Sequence, residues 1–349
     1  MEEWYNIPTN ILEGQSAFPI FLHKEKRMKR TKLIRLLAAA LAGLFCLTAC
    51  NTGDPVDTTT TAATTTTTVI TTAEPEPEPE PDNGWVSALF GGGPFNNGKR
   101  TVQKFKNAGF DTIMLWSVHV HEDGTLYLND LKVCEDGKFV GSKTMKEGWD
   151  SLKKEPTTVK RIELSVGAWG TPDFENIAAL MQRDGTGEDT ILFKNFKALI
   201  EATGADAIDY DDESSYDVSV AVEFGRMMEK LGMKITLCPY AAMSYWKGVY
   251  DELGPELVDR IYLQCYDGGA GNNVADWYNA FGGVKIIPGY WCLHYGGSAG
   301  DTAAQVKNKL NAAKRYSTGG FMWLYDDMQA LASPNSTQDY AEAIESVGE

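Results

Sequence analysis

The chain has 349 residues, of which 48 are Asp or Glu and 32 are Lys or Arg, for a formal net charge of −16 at pH 7. An acidic excess of this size excludes nucleic acid and anionic lipid surfaces as electrostatic partners, because both carry the same sign. With 43% hydrophobic residues, the chain is long enough to bury one large core or two smaller ones.

The N-terminus reads as addressing rather than fold. Lys24 to Arg35 carries seven basic residues, and Leu36 to Leu47 is an apolar run too short for a bilayer span. It ends in Leu47-Thr-Ala-Cys50, which resembles a bacterial lipoprotein signal. The resemblance implies cleavage before Cys50 and lipidation of that cysteine; an ordinary secretory signal with Cys50 incidental is the competing reading. Residues before Met28 do not suit the start of a signal, so translation is expected to begin at Met28. Residues 51–83 are mostly Thr, followed by Glu74-Pro-Glu-Pro-Glu-Pro-Glu-Pro81, with almost nothing apolar to bury. Alternating Pro and Glu predicts a semi-rigid spacer of about 3 Å per residue, roughly 100 Å in all. Together these segments predict a domain, residues 84–349, held off the extracellular face of a bacterial membrane and touching it only through Cys50.

From Gly84 onward short apolar runs alternate with amphipathic helical stretches. Val86–Phe90 precedes Lys99–Ala108, Thr112–Ser117 precedes Met145–Lys153, and Arg161–Val166 precedes Ile191–Thr203. Ala207–Tyr210 is followed by Val218–Leu231, Lys234–Cys238 by Ser244–Leu253, and Arg260–Leu263 by Val274–Phe281. Lys285–Tyr290 with Thr302–Tyr316, and Gly319–Leu324 with Asp339–Glu345, complete the series. Eight such units predict an α/β fold of the (β/α)8 TIM-barrel type, whose parallel strands are buried on both faces. An open doubly wound sheet is the alternative, but no Gly-rich phosphate loop follows the first strand.

Barrels of this kind carry their chemistry at the C-terminal ends of the strands. The fourth strand ends in Asp209-Tyr-Asp211-Asp-Glu213. Alternation along an extended chain sends Asp209, Asp211 and Glu213 to one side, where like charges and lost hydration predict that the last of them keeps its proton near neutral pH, as a general acid must. An exposed acidic turn or a calcium loop would be the other reading, and calcium loops need Gly and Asn in a different spacing. Trp169 follows strand 3, Tyr240 strand 5, Gln264, Tyr266 and Asp267 strand 6, Trp291 strand 7 and Trp323 strand 8. Aromatic faces stack on sugar rings while carboxylates and amides take the hydroxyls, so the set predicts a sugar cleft.

Asp206-Ala-Ile-Asp209-Tyr-Asp211-Asp-Glu213 resembles the D-G-x-D-x-D-x-E signature of glycoside hydrolase family 18, which comprises chitinases, endo-β-N-acetylglucosaminidases and some inactive lectins. Tyr266 at strand 6 and Trp323 at strand 8 match the family at two further strand ends, and Gln264 is similar to its plant-type and endoglycosidase branches. The resemblance implies a retaining, substrate-assisted hydrolysis of β-1,4-linked N-acetylglucosamine. In it Glu213 is the acid, Asp211 holds the acetamido nitrogen, Asp209 shares a proton with Asp211, Tyr266 binds the acetamido oxygen and Trp323 lies under the sugar. It implies neither metal nor cofactor. Ala207 and Ala168 stand where the family usually has glycine. A glycan-binding protein without chemistry is the alternative, although lectin members generally lose the terminal acid.

Only about a dozen residues, Trp291 to Asp301, link strand 7 to its helix, so the extra domain that deepens many processive chitinases is not expected. The segment Val118 to Lys143 predicts a hairpin around Leu126–Leu128. His119 and His121 resemble a ligand pair but have no third ligand, which favours a plain polar loop. Cys134, Cys238, Cys265 and Cys292 have no metal or redox spacing, and three of them fall near strand ends where a buried thiol suits. The expected partner is an N-acetylglucosamine-containing glycan, bound by a monomer.

Overall fold

The computed structural model describes residues 84–349; the expected signal, Cys50 and the Thr-rich and Glu-Pro linker lie outside the described residues. β1 (Val86–Gly91) leads to a single-turn helix α1 (Lys99–Val102), and β2 (Thr112–Val120) runs on into an antiparallel extension of β3 (Leu126–Leu128), β4 (Leu131–Glu135) and β5 (Lys138–Phe139). Then come α2 (Lys143–Leu152), β6 (Arg161–Val166), α3 (Asp173–Asp184), α4 (Ile191–Thr203), β7 (Ala207–Tyr210) and α5 (Val218–Glu229). β8 (Lys234–Leu237) precedes α6 (Met243–Leu253), β9 (Val258–Gln264) precedes α7 (Val274–Ala280), and β10 (Ile287–Trp291) precedes α8 (Ala303–Ala313). β11 (Gly319–Trp323), α9 (Tyr325–Met328) and α10 (Thr337–Gly348) close the chain.

β1 pairs in parallel with both β2 and β11, and the order β1-β11-β10-β9-β8-β7-β6-β2 closes eight parallel strands into the expected (β/α)8 barrel. The helices start where short polar side chains can take orphan N–H groups: Ser142, Thr190, Asp217, Asn273, Thr302 and Ser336 all cap in this way. α3 was not expected. It buries Phe174, Ile177, Leu180 and Met181 at helical spacing, but Pro172 at its start caps nothing, so the usual polar start signal is missing. α1 is shorter than expected because the chain beyond Gln103 turns. The hairpin after β2 is present and is tied to α4, where Asn195 accepts from the Gly137 amide at 2.7 Å and donates to the Gly124 carbonyl at 2.7 Å. Among the described residues no helix is long and apolar enough to cross a membrane.

The main apolar core lies between barrel and helices, while a second cluster fills the barrel itself. Val86, Ala88 and Phe90, alternate residues of β1, point inward with Met114, Tyr262, Ile287 and Phe321. Phe90 and Phe321 lie 5.1 Å apart and Tyr262 meets Phe321 edge-on at 5.7 Å. Glycine at position 289 makes room for this: a Cβ there would stand 1.9 Å from the Phe321 ring. The remaining sector of the interior is polar, with Glu163, Ser165, Asp209 and Thr236 fully buried.

None of the described cysteines is paired. Burial pushes the thiols of Cys134, Cys265 and Cys292 up to about 12, and that of Cys238 well above its ordinary value. Gly289→Ala is expected to overpack the barrel and cost about 1–3 kcal/mol, read as a lower urea midpoint at unchanged slope.

Candidate active site

The geometry of the site begins with the way β7 ends. Asp209 points into the barrel and Tyr210 points outward, where its ring packs 5.3 Å from Phe174 and 5.6 Å from Phe224. The chain then leaves the sheet but keeps alternating. Asp211 and Glu213 face the barrel mouth, and Asp212 turns the other way to accept from the amides of Ser214, Ser215 and Tyr216 at 3.2, 2.9 and 3.0 Å and from the Tyr245 hydroxyl at 2.7 Å. Asp212 therefore fixes the loop that carries Glu213. Below, the Asp211 amide donates to the Val166 carbonyl at 2.9 Å. Gly167 adopts φ +100°, and a Cβ there would be 2.5 Å from the Asp211 carbonyl oxygen, so only glycine permits this approach.

Asp211 accepts from the Trp116 indole at 3.1 Å on one oxygen and from the Gln264 amide at 3.1 Å on the other. The same Gln264 nitrogen reaches Glu213 at 3.2 Å and the Cys238 carbonyl at 3.1 Å. The carboxyls of Asp211 and Glu213 also lie within hydrogen-bonding reach of each other, so their protons belong to the pair. Burial is the main cause of the raised pKa at Asp211, followed by the charges of Glu213 and Asp209. Glu213 is raised too, first by burial, against the opposing hydrogen bonds of Gln264 and Asp211.

Asp209 is raised well above the carboxylate range by burial and then by the charge of Glu163. Its two oxygens are each taken by a hydroxyl, Ser165 at 2.8 Å and Thr236 at 2.9 Å. In this structure Asp211 is paired with Glu213, and Asp209 with the hydroxyls beneath.

Aromatic side chains form the rest of the mouth. Tyr266 stacks on Trp323 at 5.8 Å and 23°, Trp116 meets Trp323 edge-on at 4.7 Å, and Trp291 meets Tyr266 at 6.1 Å. The Tyr266 hydroxyl, on a partly buried ring, has no hydrogen-bond partner among the described residues. Trp291 donates to Asp327 at 3.0 Å and stacks on His294 at 3.8 Å. Tyr240 stands near Tyr216, whose hydroxyl it helps to hold uncharged, and lies against Gly268. Asp267 is exposed, and its charge reaches Glu213. Trp169 is 81% exposed and makes no ring contact among the described residues.

The structure therefore gathers Asp209, Asp211, Glu213, Gln264, Tyr266, Trp291 and Trp323, leaves Tyr240 and Asp267 at the rim and sets Trp169 in solvent. Sequence reasoning missed Trp116, whose signal was its place at the end of strand 2 beside the other strand-end aromatics. It also missed Glu163 and Thr236. His119 pairs with buried Asp173 at 3.0 Å and His121 stacks on Tyr127 at 4.1 Å, consistent with a polar loop; among the described residues no metal-ligand cluster is found.

No protein-family model matches the chain, and no curated protein matches it. Its backbone is similar to several solved structures. One is a chitinase from Bacteroides thetaiotaomicron, with TM-score 0.53 and 14% identity over 75% of this chain and 96% of that one. A family 18 chitinase from Flavobacterium johnsoniae gives 0.52 and 11% over 74% and 94%. The catalytic domain of a family 18 chitinase from the fern Peteris ryukyuensis gives 0.51 and 16% over 74% and 98%. At these identities the likeness establishes the barrel fold.

A carboxyl whose pKa is raised by folding binds its proton more tightly folded than unfolded. Its stabilising contribution is full below the ordinary carboxylate range and is lost as pH rises through the raised value. Asp211→Asn is accordingly expected to melt at a higher temperature than the unsubstituted protein at mildly alkaline pH, with the difference closing toward about pH 4, as followed by circular dichroism.

Proposed function

We propose that the domain is a retaining glycoside hydrolase that cleaves β-1,4 linkages of N-acetylglucosamine by substrate-assisted catalysis. The observation that carries this reading is Glu213, a carboxyl with a raised pKa at the barrel mouth, hydrogen-bonded to Asp211 and Gln264 beside a stacked Tyr266–Trp323 pair. In the proposed reaction Asp211 passes its shared proton to Glu213 and becomes the anion that accepts the N–H of the substrate's 2-acetamido group. Glu213 protonates the glycosidic oxygen, the anomeric carbon–oxygen bond breaks, and the acetamido carbonyl oxygen bonds to that carbon to give an oxazolinium ion. Water then adds from the vacated side and returns a proton to Glu213, so configuration is retained. The unpaired hydroxyl of Tyr266 suits the acetamido oxygen, and Trp323 suits the face of the sugar.

Anchoring through Cys50 at the extracellular face of a bacterial membrane, with residues 51–83 as a spacer, belongs to the same proposal. The natural substrate would be chitin-type oligosaccharide or the chitobiose core of N-glycans.

The full-length protein is expected to release chitobiose from chitotetraose or to trim a high-mannose glycoprotein to a single protein-linked N-acetylglucosamine, read by mass spectrometry. Glu213→Gln should keep oligosaccharide binding and lose about 10²–10⁴-fold in turnover. Binding without cleavage by the unsubstituted protein would replace the proposal with a glycan-binding role. Tyr266→Phe should lower kcat with a modest change in binding; unchanged turnover removes Tyr266 from the mechanism.

A further inference from the structure

Beneath the proposed catalytic pair lies a second buried carboxyl that this mechanism does not use. Glu163, fully buried, accepts at Oε1 from Arg161 at 2.6 Å, from the Tyr262 hydroxyl at 2.9 Å and from Arg260 at 3.3 Å. Its other oxygen, Oε2, is 2.7 Å from the hydroxyl of Thr236, and that same hydroxyl is 2.9 Å from Asp209 Oδ1. Thr236 thus stands between two carboxyls with one hydrogen to give. If it donates to Glu163, only a lone pair faces Asp209, and that contact is a hydrogen bond only when Asp209 supplies the proton. Two buried carboxylates facing one hydroxyl would otherwise leave an unpaired oxygen in a dry interior. Both guanidinium groups lie on the Glu163 side and no cation contacts Asp209, so the charge belongs below and the proton above.

We infer that Glu163 is a positioning residue for the catalytic carboxylates, holding a proton on Asp209 through the single hydroxyl of Thr236. The chain runs Asp209 O–H to Thr236 Oγ1, then Thr236 O–H to Glu163. Its catalytic meaning rests on the hydrolase reading: a neutral Asp209 lets Asp211 become an anion without a second negative charge beside it. The raised pKa of Asp209, caused by burial and then by Glu163, agrees with this arrangement. The titratable and charged groups that face the pair are Arg161 on β6, Asp211 just past β7, Cys238 just past β8, and Arg260, Tyr262 and, through Arg161, Asp259 on β9. β2 adds the Thr112 hydroxyl, 2.9 Å from Arg260, while β1, β10 and β11 face the interior with apolar side chains.

The test is infrared spectroscopy of the full-length protein at neutral pH, which reads the carbonyl stretch of a protonated carboxyl without needing turnover. The unsubstituted protein should show a component that disappears in Asp209→Asn. Glu163→Gln, with its charge removed and an amide able to donate to Thr236, should lose that component as Asp209 ionises. Thr236→Val, which leaves every arginine contact of Glu163 in place and so guards against misfolding of the first variant, should displace it. Absence of an Asp209 component, or one unmoved in Thr236→Val, overturns the inference. If hydrolysis is observed, the acidic limb of kcat/KM should also move up by about one pH unit in Glu163→Gln, because an ionised Asp209 makes Asp211 harder to deprotonate; a merely structural Glu163 would lower kcat and leave the limb in place. Loss of the spectroscopic signature with hydrolysis intact defeats the relay alone, and a signature without hydrolysis defeats the enzyme reading alone.

Discussion

A carboxyl removed from water must find cations, donors or a proton, and Glu163, Asp209, Asp211 and Glu213 follow one another from the inside of the barrel to its mouth. Glu163 meets the demand with two arginines and a tyrosine, Asp209 with two hydroxyls, and Asp211 and Glu213 with a tryptophan, a glutamine and each other. The means of satisfaction change along the barrel axis, from full ionic compensation below to protons held at the mouth. The proposed chemistry lies at the end where ionic compensation is weakest, and the ion pairs below neutralise the buried charge at the other.

The division of the interior into two sectors serves the same constraint. The strands β1, β10 and β11 contribute Phe90, Ile287 and Phe321, which exclude water from one side of the acidic row. The rings continue upward into Trp116, Tyr266 and Trp323, so the apolar filling of the barrel merges with the aromatic surface of the mouth. One continuous aromatic column packs the fold and helps to bury the carboxyls beside it, which raises their proton affinity, while the Trp116 indole works the other way by donating to Asp211.

Much of this could be read from the chain. Parallel strands buried on both faces appear as apolar runs, so all eight were visible, and alternation at Asp209, Asp211 and Glu213 gave the side to which each acid points. What stayed hidden depends on long-range contacts. Thr236 and Glu163 are 73 positions apart, and nothing local in Arg161-Ile-Glu163 or Thr236 marks them as neighbours. Asp212 looked like one more acid in a cluster; only the fold reveals it as the acceptor that holds the turn. α3 escaped because its helical spacing came without a capping residue. Conversely, Trp169 looked equivalent to the other strand-end aromatics and proves to stand alone in solvent. Position along a strand foretells direction, but the path of the loop beyond it decides what a side chain meets.

The state of the four described cysteines carries a consequence of its own. No described covalent bridge ties one part of the barrel to another, and every described thiol is held in its uncharged form by burial. Thiolates are the species that oxidants, alkylating agents and mixed disulfides require. A reducing environment therefore finds no described bridge to cut in this domain, and the buried, uncharged thiols present little thiolate to an oxidising one.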